Sequence, residues 1–154
     1  MPTPRTVVTF QASGFNTSEP RDYFVNPGCF GDDVAHALMK QLRSQGIQTD
    51  AEPGQEDFGW FFGYRLDATP YHFVLGYRPE HPPDRGCWIG WIERNAGLIG
   101  SLFGARQRGI EPEAVEAIRA AVSSIPTVTE VRWHRRSDFD SGREEHGTPE
   151  PTAA

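Results

Sequence analysis

The chain has 154 residues, 37% of them hydrophobic and 12% aromatic, which is enough for one domain with a sizeable core. A net charge of −6 and a pI near 5.3 exclude a general nucleic-acid or membrane-surface role. No apolar run is long enough for a signal peptide or a bilayer span, and the two cysteines form no CxxC pair, so a cytoplasmic protein with reduced thiols is expected.

The first predicted element is a strand, "RTVVTFQA" from Arg5 to Ala12, rich in β-branched residues. A long loop follows, punctuated by Gly, Asn and Pro, with Phe15, Tyr23, Phe24 and Phe30 available to pack it. A helix is predicted from Asp32 to Gln45, because Val34, Ala35, Leu38, Met39 and Leu42 form one apolar stripe. Asp32 and Asp33 suit its first turn, Gly46 its end, and His36 falls on its solvent side.

"IQTDAE", "EDFGWFFGYRL", "YHFVLGYR" and "CWIGWIER" read as strands with short connections, hence an antiparallel meander from Ile47 to Arg94. In the glycine-rich "NAGLIGSLFGARQRGIEP", the pairs Leu98–Leu102 and Ile99–Phe103 predict a short helical turn. A second helix, "PEAVEAIRAAVSSI", has Pro112 near its start and Val115, Ile118, Ala121 and Val122 facing inward. "TVTEVRWHRR" is the last strand, with Val131 and Trp133 on one face and His134 on the other. Residues 1–136 thus form the expected domain, and "SDFDSGREEHGTPEPTAA", residues 137–154, is expected to be a disordered tail.

The order β-α-β-β-β-β-α-β predicts an α+β fold. It is a two-layer sandwich in which two helices cover one face of a mainly antiparallel sheet of five to six strands. The second sheet face is then open unless a partner or the tail covers it.

Alternation sorts the central strands into faces. Phe58, Trp60, Phe62, Tyr64 and Leu66 share the helix-covered face with Tyr71, Phe73, Leu75 and Tyr77. Gly59, Phe61, Gly63 and Arg65 then share the open face with His72, Val74, Gly76 and Arg78. For "CWIGWIER" the set Trp88, Gly90, Ile92 and Arg94 is assigned to the open face. Phe61, Arg65, His72, Arg78, Trp88 and Arg94 become the candidate binding residues, with Arg78 near Glu56 and Asp57. Strand glycines often mark close approach by a ligand or another backbone.

The residues argue for little catalysis. Glu56 and Asp57 are neighbours and point to opposite faces of a strand, so they cannot flank one reacting atom. Cys29 precedes a helix, but two aspartates follow it and no histidine is placed beside it. "AGLIGSLFG" matches no phosphate loop, and the five histidines show no metal-binding spacing. No catalytic residue, metal ligand or cofactor is assigned, and no family signature is evident.

Two readings follow. The first is a non-enzymatic binding protein, of the immunity-protein or adaptor type, that engages a protein partner or a second copy of itself through the open sheet face. The alternative is a domain or enzyme that binds a small anionic ligand in an aromatic and arginine-lined pocket on the sheet.

Overall fold

The structure, a computed structural model, describes residues 3–83, 85–94 and 109–152. Within them the elements run β1 (Val7–Gln11), α1 (Asp32–Ser44), β2 (Gln48–Thr49), β3 (Gly54–Glu56), β4 (Gly59–Leu66), β5 (Thr69–Arg78) and β6 (Cys87–Arg94). Then come α2 (Pro112–Ser123), β7 (Thr129–His134), α3 (Arg136–Asp140) and a 3-10 turn (Glu144–His146). The seven strands pair antiparallel in the order β2-β4-β5-β6-β1-β7, with β3 paired to β4 beside β2. β1 is first in the chain but lies between β6 and β7. The expected helical turn around Leu98 to Phe103 lies outside the described residues.

Both helices cover the same sheet face, as a two-layer α+β sandwich requires. On α1 the stripe Val34, Ala35, Leu38, Met39 and Leu42 is completely buried. α2 contributes Ala114, Val115, Ile118, Ala121 and Val122, and starts at Pro112, whose missing N–H costs nothing there. Against them the sheet presents Val8, Phe10, Phe62, Phe73, Trp88 and Trp133, each burial of such a side chain stabilising by about 1.5–3 kcal/mol. The Tyr64 hydroxyl, buried beneath α2, donates to the Ala114 carbonyl oxygen at 2.9 Å, so its polar end is satisfied.

The loop between β1 and α1 packs on its own aromatics. Phe15 meets Trp88 edge-on, and Phe24 meets both Phe30 and Trp60. Gln55 pins the loop from β3. Its amide oxygen accepts from the Val25 and Asn26 N–H groups, and its amide nitrogen donates to the carbonyls of Asn26 and Cys29.

Three expectations need correction. "QEDFGWFFGYRL" is a hairpin, not one strand: β3 and β4 are joined through Asp57 and Phe58, with Glu56 opposite Gly59. Phe58 therefore leaves the core face and is 40% exposed. β6 has the opposite parity to that expected. Its partners on β5 place Trp88 opposite Tyr77, Gly90 opposite Leu75 and Ile92 opposite Phe73, all on the core face. Cys87, Ile89, Trp91 and Glu93 belong to the second face.

The third concerns the tail, which is folded. After β7 it forms α3 and the 3-10 turn, returns to β7, and exchanges two backbone hydrogen bonds between Trp133 and Thr148. The Pro151 carbonyl then accepts from the Arg5 N–H beside the start of β1. No helix among the described residues is long and apolar enough to cross a membrane.

Candidate functional site

The second face is divided. Over β1, β6 and β7 the returning tail lies on the sheet, with the Arg136 guanidinium 5.3 Å above the Trp91 ring and Phe139 5.5 Å from the His134 ring. Over β4 and β5, Phe61 and His72 meet edge to face at 5.8 Å and remain partly exposed. The six candidate residues do not form one surface. Phe61, Arg65 and His72 fall on the uncovered strip, where Arg65 and His72 border a small hollow of about 120 Å³. Arg78 lies at the other end of the sheet. Trp88 is 1% exposed on the core side, and Arg94 has the core-side parity and donates to the Gly109 carbonyl.

Around Arg78 the sheet opens into a cavity of about 870 Å³. Its floor is the end of β1 at Thr9 and Gln11, its walls Arg78 and Cys87 on one side and Arg132 on the other, and Pro79, His81, Pro83 and Arg85 form its rim. The tail supplies Glu144. Two backbone irregularities shape this end. The β1–β7 register shifts between Thr9 and Gln11, and Glu130 adopts a left-handed conformation at φ 53°. Bulges and non-glycine residues in that region gather where a side chain must be re-aimed.

The charges are arranged unevenly. Arg78 donates through both terminal nitrogens to the two Glu144 carboxylate oxygens, at 2.9 and 3.1 Å. This fork raises the Arg78 pKa and lowers that of Glu144. Arg85 lies 3.6 Å from Glu130. Arg132 has no carboxylate partner among the described residues. Burial pushes the Cys87 thiol up, against the pull of the neighbouring Arg78, so it is held as the protonated thiol. Cys29 is not among the residues that line this cavity, and its thiol is likewise pushed up by burial. Both cysteines are free.

Beside the cavity, under the tail, His134 is 2% exposed, with its Nε2 2.9 Å from the Thr9 hydroxyl oxygen. Its Nδ1 has no hydrogen-bond partner among the described residues. A ring protonated at Nε2 donates to Thr9 and leaves only a lone pair unmatched, which is cheaper than a buried, unpaired N–H. Gly147 of the tail lies against this ring, where an added Cβ would come within 2.8 Å of Nδ1.

Burial pushes the His134 pKa below its ordinary value; Glu144 opposes this, while Arg132, Arg78 and Arg5 add to it. The unfolded chain therefore binds a proton at this ring more readily than the folded one. The ring's contribution to stability is complete above the unfolded pKa of about 6.5 and declines as the pH falls below it. Urea titrations between about pH 7 and pH 5 should show this decline, and His134→Gln should flatten it. Equal slopes in the two proteins would contradict the assignment.

Among the described residues no group of three His, Cys, Asp or Glu side chains is placed to hold a metal ion. Neither Arg132 nor Glu144 is found by reading β4 to β6 alone. Arg132 alternates with Trp133 on the last strand, which is the one sequence signal for it, while Glu144 falls in the segment read as a tail. No protein-family model, curated protein or solved structure matches this chain.

Proposed function

We propose that this chain binds a small molecule bearing a carboxylate or phosphate group in the cavity at the β1–β6–β7 end of the second face. The observation that carries this reading is Arg132, an exposed guanidinium on the cavity wall that pairs with no carboxylate among the described residues. It stands with Arg78 and Arg85, whose charges Glu144 and Glu130 offset, so Arg132 is the uncompensated positive charge among the described residues of this lining, in a chain of net charge −6. A guanidinium offers two parallel donors that match carboxylate and phosphate oxygens. The cavity volume also lies within the range of about 300–1,000 Å³ usual for small-molecule sites. Capture of a protein partner has less footing, since the tail already occupies the β1, β6 and β7 part of the face and leaves the strip of Phe61, Arg65 and His72.

The test is thermal unfolding with citrate, phosphate and acetate at millimolar concentration. A ligand at about ten times its Kd stabilises the folded state by about 1.4 kcal/mol, a measurable rise in melting temperature. Arg132→Ala should remove most of that rise, and Arg65→Ala, on the uncovered strip, should keep it. If none of the anions raises the melting temperature, or Arg132→Ala responds as the wild type does, the cavity is not an anion site.

A further inference from the structure

We propose that Glu144 is an internal occupant of the anion site, displaced from Arg78 by a ligand that carries two separated anionic groups, and that this displacement releases the segment 135–147 from the sheet. The inference rests on the anion-binding reading above and adds to it the ligand's valence and a coupled motion.

The fork geometry is the first support. Glu144 takes one N–H from each terminal nitrogen of Arg78, so an external anion gains the same two-donor fork on this guanidinium only by replacing that carboxylate. Arg132 needs no such exchange. A ligand with one anionic group is served by Arg132 alone and leaves Glu144 seated. One with two groups, as in a dicarboxylate or a phosphorylated acid, gains the second guanidinium by taking the place of Glu144.

The construction of the segment is the second support. Its ends are tied where Trp133 and Thr148 exchange two backbone hydrogen bonds, so the residues between them can lift as a closed loop. Neither α3 nor the 3-10 turn buries a residue. The loop is braced within itself, Arg136 to Asp140 and both Arg143 and His146 to Asp138. Outside itself it is held by the Glu144–Arg78 fork, the Arg136–Trp91 and Phe139–His134 contacts, the approach of Gly147 to the His134 ring and an Arg135 donation to the Thr3 carbonyl at 3.4 Å. A unit with internal bracing and few external holds opens at low cost compared with the core.

Citrate serves as the probe with several carboxylates and acetate as the one with a single carboxylate, measured by calorimetry and by hydrogen exchange on the full chain. Glu144→Gln should tighten citrate binding by about fivefold, the size expected for losing competition from a half-exposed ion pair, and leave the Arg132-dependent acetate binding unchanged. In the wild type, citrate should lower the exchange protection of amides in 136–147, and acetate should not. That second arm needs no variant. Arg132-dependent citrate binding with no gain in Glu144→Gln and unchanged protection would overturn the occupant role while leaving the anion site standing. Absence of citrate binding in both proteins would remove the anion site and this inference together.

Discussion

Replacing Trp88 by alanine is expected to lower the unfolding free energy by about 3–5 kcal/mol, whereas Phe61→Ala should cost about 1 kcal/mol. Trp88 is fully enclosed: Tyr77 packs on it at 4.9 Å between ring centroids, Phe15 reaches it edge-on, and its ring lies 3.4 Å from where a Cβ on Gly31 would stand. Removing the indole leaves a void that a close-packed sheet-and-helix interface cannot collapse to fill. Phe61 stands on the other face, where water already reaches part of the ring. Urea denaturation of the two variants separates these environments. Comparable losses would mean that β6 presents its other face to the helices.

That parity is where the sequence is least informative. Each alternating set of "CWIGWIER" contains one tryptophan and one isoleucine, so hydrophobicity cannot choose between them. On sequence alone Gly90 suits an open face, as strand glycines near a ligand do. In the fold it lies under the Phe73 ring, where an added Cβ would stand 2.2 Å from Cζ. The glycine is complementary to an aromatic on the neighbouring strand, and complementarity between strands is not written in either strand alone. β4 and β5 were legible because one of their faces is almost wholly aromatic. α1 and α2 were legible because a helix displays its buried stripe within its own residues.

The cavity was not legible for a topological reason. It needs β1 between β6 and β7, and it needs the tail folded back. The sequence order places β1 about eighty residues before β6 and more than a hundred before β7. The segment from Ser137 lacks periodicity because it buries none of its α3 or 3-10 residues, being held by ion pairs and ring contacts instead. Polar, aperiodic composition signals the absence of a core contribution. It does not signal the absence of structure when fixed partners such as Arg78 and Trp91 are waiting on a sheet.

Gly59→Ala should be comparably damaging, at about 3 kcal/mol or more, and for a different cause. Gly59 opens β4 at φ 152°, a conformation that L side chains rarely adopt, and an added Cβ would stand 2.2 Å from the Leu75 carbonyl oxygen. That oxygen belongs to the backbone of β5, so no rotamer change relieves the clash. Gly76, beside it on β5, is less crowded: an added Cβ would stand 3.3 Å from the Phe58 carbonyl oxygen, a tight contact that a shift of a few tenths of an ångström relieves, and Gly76→Ala should cost about 1 kcal/mol. The close approach at Gly59 also directs the preceding residue, since it is this turn that lays Phe58 toward Trp91, whose indole carries Arg136 of the tail. Urea unfolding of Gly59→Ala should therefore show a lower midpoint, and hydrogen exchange should show weakened protection in α3 as well as in β4. A midpoint equal to that of Gly76→Ala would mean that β4 enters the sheet without this contact, and Phe58 would no longer be a support for the tail.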